Sequence, residues 1–324
     1  MLVWSMLKVS PPWIVNYIKD NVLKTGNPLG ISAKDLTSWS KGLNIPRKGE
    51  IVLYTGCEYQ LLPYIVGFIG KLEKIWGIVL TGPKLKRITL SIADLLIRAS
   101  ARDRDYYNNL LALYANLLRK IGVDFSYLYE DELYAGGLLY EFGLEEEFSQ
   151  HANRVAEVLR KNSVRKIITI SPHTLELFRL VYPKYVDNFD IEALHFLELI
   201  KDKIDGLSLK LERSINATLH DPCHLARTLD MVNEPREILE SIKGFKLIEP
   251  EPNTKKLTKC CGAPIETIFP HLSRKIAENR LKELKRTGAS CIITLCPFCL
   301  ASFRRAGSEL EIKDFVELLT EVIR

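Results

Sequence analysis

The stretch IITLCPFCLASFRR, residues 292–305, repeats the frame of an earlier stretch, IITISPHTLELFRL, residues 167–180. Ile-Ile-Thr, Pro, Leu, Phe and Arg recur at the same offsets. Cys296 and Cys299 of the later copy stand where the earlier one has Ser171 and Thr174. Each copy opens as a short apolar run, crosses a proline and continues with helical spacing. That is the pattern of a buried strand feeding a helix.

Around it, the frame grows into a triplet of strands in each half. In the first half, EIVLYTG (50–56), VDFSYLYE (123–130) and RKIITIS (165–171) read as strands. In the second, NATLHDP (216–222), FKLIEPE (245–251) and SCIITL (290–295) do so. Helical patterns separate them, notably at 92–121, 145–161, 235–242 and 270–286. YTGCEYQ aligns with HDPCHLA, and ELYAGGLLYEFG more weakly with LTKCCGAPIETI. An internal repeat of alternating strands and helices implies an α/β fold with parallel sheets covered on both faces. The expectation is two pseudo-symmetric Rossmann-like lobes plus an N-terminal helical extension. The extension is set at 1–47, a first lobe with a helical insertion at 48–190, and a second lobe at 191–324. In the extension, Ser10 is expected to cap a helix with Pro11 in its first turn. Ile14, Tyr17, Ile18 and Val22 keep helical spacing, and Gly26-Asn27-Pro28 stops it. Ser32 is placed to cap a second short helix through Leu43.

Composition sets the class. The 324 residues are 47% hydrophobic and 26% charged, which suits a soluble globular chain long enough for two domains. The net charge of +5 is spread along the chain, which argues against a nucleic-acid partner and for a basic face that docks an acidic protein. No signal peptide and no membrane-length apolar run is visible, since Lys71, Glu73 and Lys74 break the most apolar region, 61–80. The expectation is a cytoplasmic protein without a direct membrane span, any membrane contact being made through partners.

Seven cysteines are present, and five form the pattern C-x36-CC-x34-C-x2-C: Cys223, Cys260, Cys261, Cys296 and Cys299. Each group follows an expected strand. The carboxyl ends of parallel strands converge on one edge of a sheet, where open α/β folds bind ligands. Clustered thiols in a reducing compartment read as metal or redox chemistry. Zinc and a cubane cluster each need four ligands. Adjacent Cys260 and Cys261 are poorly placed to chelate one ion but could reach two irons, so five thiolates suit an unusual multi-iron cluster. A structural zinc site using four of them, or a thioredoxin-like CxxC, are the alternatives. Gly262 allows close backbone approach, and Pro264 and Pro297 suit helix first turns whose positive ends face the thiolates.

The motifs HDPCHLAR, KCCGAPIE and CPFCLASFRRAG, within 220–307, resemble the cysteine-rich CCG domain found in the B-type and D-type components of heterodisulfide reductase. Relatives of that family include iron–sulfur subunits of glycolate oxidase and of anaerobic glycerol-3-phosphate dehydrogenase. The resemblance implies one noncubane [4Fe-4S] cluster held by Cys223, Cys260, Cys261, Cys296 and Cys299. It also implies an iron–sulfur electron-transfer role in a multisubunit oxidoreductase, with disulfide or thiol redox chemistry at the cluster. Pure electron relay in a flavin-linked 2-hydroxy acid or glycerol-3-phosphate dehydrogenase, or a zinc-stabilised scaffold, are the competing readings. KTGNPLGISAKDLTSWSKGL followed by EIVLYTGC resembles the linker and first strand of the D-type proteins, in which a ferredoxin domain precedes the linker. No cysteine precedes Cys57, so the implied partners are a flavoprotein subunit and a separate ferredoxin-like iron–sulfur subunit, the latter docking near 1–47.

The first half departs from the family pattern. Only Cys57 remains; Ala135-Gly136 replaces the CC pair and Ser171-Pro172-His173-Thr174 the CxxC. Between Cys57 and Ala135 lie 77 residues, against 36 in the second half, so the first copy carries an insertion. One thiol does not hold a cluster, and this half is expected to keep its fold without metal. Cys57 reads as a buried inert thiol or a substrate-side one, and Cys291 as a core residue. His173 reads as a satisfied strand-end histidine or a proton donor. His220 and His224 are candidates to donate to a cluster sulfur. Glu145–Glu147 read as a helix first turn, and Arg304-Arg305 as a solvated face or a contact for acidic partners.

Overall fold

The computed structural model describes residues 13–81, 97 and 99–323. The expected cap at Ser10 and Pro11, and the start of the 92–121 helix, lie outside these. Two parallel sheets form. The first has the order β1 (Ile51–Tyr54), β2 (Lys166–Thr169), β3 (Glu192–His195). The second has β5 (Lys243–Leu247), β4 (Lys210–His220), β6 (Cys291–Thr294), β7 (Glu311–Asp314). The chain is thus the expected α/β protein with two parallel sheets.

The expected strand at 123–130 is reduced to one parallel bridge. Ser126 exchanges bonds with β1, Leu53 N donating to its carbonyl at 2.9 Å and its own N–H to Ile51 O at 2.8 Å. Tyr127 N then turns to Pro46 O, and Tyr129 takes a left-handed φ of 54°, which ends pairing. With Ser126 in the place of β5, both sheets share one strand order. Two strands escaped the sequence reading, β3 and β7, which close each sheet. Each runs into a helix through a capping box, His195 with Glu198 and Asp314 with Glu317. Because β3 belongs to the first sheet, that sheet reaches past the expected boundary at 190/191.

The N-terminal helix Trp13–Thr25 buries Ile14, Val15, Tyr17, Ile18 and Val22, as its spacing implies. Ser32 caps only a single helical turn, Ala33–Leu36, since a 3-10 turn at Ser38–Ser40 replaces further helix. The helices Glu58–Thr81 and Ala101–Lys120 leave the first sheet and pack on the helices of the second lobe. Their contacts are polar as well as apolar. Tyr59 and Tyr114 hydroxyls each donate to the buried Asp314 carboxylate at 2.6 Å. Burial raises that carboxyl to about 6, against the opposing pull of the two donors. Glu73 receives Arg274 at 2.7 Å and also pairs with Arg305. Within the first lobe, buried Glu132 accepts from Thr55 N at 3.0 Å and holds the turn after β1. Burial pushes its carboxyl to about 7.

Replacing Tyr59 with Phe strips one donor from a buried carboxylate and is expected to cost about 1.5–3 kcal/mol. The cost should be read as a lower urea midpoint at unchanged slope, with Tyr114→Phe behaving alike. For Glu132, the folded-state value lies above the ordinary one kept by the unfolded chain. Its stabilisation is therefore complete below the ordinary value and is lost as pH rises through about 7. Between about pH 4 and 8 the wild type should lose about 3 kcal/mol more than Glu132→Gln.

Candidate metal centre

Three strand ends deliver the five thiols. β4 ends at His220, and Cys223 follows at the start of a π-helical turn, His224–Thr228. β6 ends at Thr294; Cys296 caps the helix Pro297–Ala306, and Cys299 sits in its first turn. Cys260 and Cys261 come from the loop after β5. Gly262 follows them with φ 86°, and a Cβ there would lie 2.5 Å from Ser273 O. Only glycine takes that conformation in that space.

The loops are tied to one another by groups the sequence reading passed over. Arg236 grips Asp221 in a buried two-pronged pair at 2.8 and 2.9 Å. Asp221 also accepts Lys255 N at 2.7 Å, and its carbonyl takes the Thr258 hydroxyl at 2.9 Å. The segment before Cys223 is thereby fastened to the segment before Cys260. Ser302 on the last helix donates to Cys261 O at 2.8 Å. A buried arginine, Arg236, in an otherwise apolar 3.6-residue stripe was the available signal for this network.

The five thiols influence one another in the order Cys223, Cys260, Cys261, Cys299, Cys296, and the Cys261 and Cys299 sulfurs lie within 4.8 Å of each other. Cys261, Cys296 and Cys299 are buried, and Cys223 and Cys260 partly so. The Cys223 and Cys261 donors hold Cys260 well below the usual thiol range, while Cys223, Cys261 and Cys299 are pushed up. Full deprotonation of such a set requires compensating positive charge in the pocket.

His220 completes this wall. It is buried, and Arg280 Nε donates to its Nδ1 at 3.3 Å. The ring proton therefore sits on Nε2, which has no hydrogen-bond partner, and a ring nitrogen of His220 lies within 4.8 Å of the Cys261 and Cys299 sulfurs. Burial, then the Arg280 charge, depress the ring to about 3, so it is neutral. An unpartnered N–H aimed at thiols fits a group that offers sulfur acceptors. Together the donor set, the orphaned N–H and the glycine cradle fit an iron–sulfur cluster.

An apolar cavity of about 60 Å³ borders the thiols. Ile14 and Ile18 of the N-terminal helix, with Ile65 and Phe68, roof it. His173, His224 and Glu141 line its far side. His224 does not turn to the sulfurs as expected: its Nδ1 engages Glu176, and its Nε2 faces Glu141 at 3.5 Å.

The remaining residues divide clearly. Cys291 is a buried strand residue, as expected. Cys57 is buried among Leu29, Leu36 and Leu61, apart from the five thiols. Its φ is 57° where that of Cys223 is −59°, so the repeated frame aims the two side chains differently. Burial, then Glu132, push its thiol well up, which makes it a poor nucleophile. The left-handed glycine before the short helix is Gly136 in one lobe and Gly262 in the other. By that landmark Tyr134-Ala135, not Ala135-Gly136, stand opposite Cys260-Cys261. Arg304 is exposed, as the solvated-face reading has it, but Arg305 is not. Arg305 is buried against Glu73 and Glu266, and Arg304 lies 3.7 Å over the Tyr106 ring. Glu145–Glu147 do open a helix.

Residues 217–304 match the family described as a cysteine-rich domain, CCG. The D-type component of a heterodisulfide reductase of Methanosarcina mazei is 30% identical over 231 residues, 67% of this chain and 56% of that protein. Its Methanosarcina acetivorans counterpart is 28% identical over 92% of this chain and 65% of its own length. A probable iron–sulfur-binding oxidoreductase, FadF, of Bacillus subtilis is 26% identical over 94% of this chain and 40% of its own. The chain thus spans roughly half the length of these curated relatives. The solved structure of an aspartate racemase homologue from Pyrococcus horikoshii aligns with 65% of this chain and 90% of its own. At 12% identity and a TM-score of 0.27, that likeness bears on neither fold nor activity. No helix among the described residues is long and apolar enough to cross a membrane. A cysteine-rich match over the three thiol loops and relatives aligned along nearly the whole chain make this a CCG-domain protein, related to the D-type component of heterodisulfide reductase and to FadF-like iron–sulfur oxidoreductases.

Proposed function

We propose that the chain is an iron–sulfur electron-transfer subunit of a multisubunit oxidoreductase. In this reading Cys223, Cys260, Cys261, Cys296 and Cys299 hold one noncubane [4Fe-4S] cluster at the seam between the lobes. The observation that carries the reading is the gathering of five thiols from three loops into one mutually interacting group. Such a cluster supplies one-electron redox chemistry and iron that can take a sulfur ligand.

The protein's own part is legible in its residues. Arg280 holds the His220 tautomer so that Nε2–H donates toward the sulfurs. The start of the Pro297–Ala306 helix places its positive end at Cys296 and Cys299. Ile14, Ile18, Ile65 and Phe68 keep water from the pocket. The D-type relatives are named as reductases of a CoB–CoM heterodisulfide. A disulfide or thiol substrate is proposed here on that likeness, with electrons passing through a ferredoxin-like subunit and a flavoprotein.

Anaerobically purified full-length protein should carry about four irons and four sulfides per chain. Cys296→Ser or Cys261→Ser should lose most of both. Zinc on the thiols with no sulfide would overturn the reading. Substituting His220 with Ala removes one N–H donor to sulfur and should lower the midpoint potential by about 20–60 mV. A redox titration followed by electron paramagnetic resonance measures it.

A further inference from the structure

A second cluster of ligating side chains lines the same cavity as the thiols. Glu141, His173 and His224 each present one ligand atom, and the three atoms lie within 4.8 Å of one another. His173 Nε2 is 3.2 Å from Glu141 Oε1, and His224 Nε2 is 3.5 Å from the same oxygen. A tetrahedral ion with bonds of about 2.0–2.1 Å sets its ligands about 3.3–3.4 Å apart.

Both of these ring nitrogens face the same Glu141 oxygen. His173 is 6% exposed, yet its Nε2 makes no hydrogen bond despite its closeness to Glu141. The opposite nitrogen of each ring faces a further carboxylate. His224 Nδ1 engages Glu176, and His173 Nδ1 lies 3.8 Å from Glu58. A carboxylate behind the far nitrogen is how proteins orient a metal-ligating histidine.

Charge points the same way. Three carboxylates, Glu58, Glu141 and Glu176, meet around two imidazoles, with Glu58 and His173 buried and Glu141 and His224 reaching solvent, and their ion pairs are with those imidazoles. The carboxylates favour a cation between them, and the two rings lie 4.7 Å apart between centroids.

We propose that Glu141 and His173 of the first lobe and His224 of the second bind one divalent first-row ion, zinc by ligand type, separate from the five-thiol site. Glu176 and Glu58 act as positioning residues. Two histidines and one carboxylate leave a fourth position, and all three ligands line the cavity shared with Cys223, Cys261, Cys296 and Cys299. That position suits water or the sulfur of a small thiol entering the cavity. The site goes beyond the cluster reading and stands without it.

The test uses the full chain with its cysteines as isolated anaerobically. After incubation with zinc and removal of excess, the wild type should retain one zinc per chain beyond its iron. Cobalt in its place should show ligand-field bands without thiolate charge transfer. His173→Asn and Glu141→Gln should abolish this uptake and leave iron and sulfide unchanged. Glu176→Gln should weaken it about 10–100-fold. Cys296→Ser should lose iron but keep the zinc, which separates failure of this proposal from failure of the cluster. If His173→Asn does not fold, Glu141→Gln decides. No retained zinc in the wild type, or equal retention in Glu141→Gln, would overturn the proposal.

Discussion

Buried charge at the seam between the lobes governs the rest of this structure. Asp314 has no access to water and draws its donors from Tyr59 and Tyr114, on helices that begin in the other half of the chain. Glu73 does the reverse, reaching from the first half to Arg274 and Arg305. A buried ionised group that loses its partner pays the full cost of desolvation, far more than the pair gains by forming. Opening the seam would orphan these groups together. The lobes therefore stay closed over a pocket with a largely apolar lining.

A shared pocket makes the chemistry of its walls consequential. The second lobe contributes soft sulfur ligands on loops braced by Asp221 and Arg236. The first lobe keeps the same strand order but presents oxygen and nitrogen: Glu141 and His173 in the cavity, Glu58 and Glu132 behind. The repeated frame thus carries two ligand chemistries to one space. Soft and hard donor sets favour different metals, so loss of the first thiols need not mean loss of a site.

Much of this was legible in the residues. The doubled frame at 167–180 and 292–305 foretold parallel strands feeding helices, because a short apolar run meeting a proline has few other solutions. The C-x36-CC-x34-C-x2-C pattern named all five thiols that meet. Cys291 and the helix at 145–161 also fell where periodicity put them. Less was legible where a segment's fate depends on a distant neighbour. VDFSYLYE has strand composition, but Pro46 takes the Tyr127 amide and only one bridge forms. The four-residue strands β3 and β7 are too short and too polar to stand out from the helices they precede.

Local and periodic features needed only the order of residues along the chain: the strand–turn–helix units, their duplication, and the residue types at each strand end. Those follow from backbone sterics and side-chain spacing, which each segment carries alone. The closed fold settled what each polar residue meets. Arg305 is buried instead of solvated because Glu73 arrives from more than two hundred residues away. His220 ends β4 beside the sulfurs while His224, four positions on, turns to Glu141 and Glu176, because the chain leaves the strand at Asp221-Pro222 and His224 opens the next helical turn. Cys57 is set apart by a left-handed backbone that its repeat partner lacks. Partners across a seam are fixed by how two lobes close, and no window of sequence contains both sides.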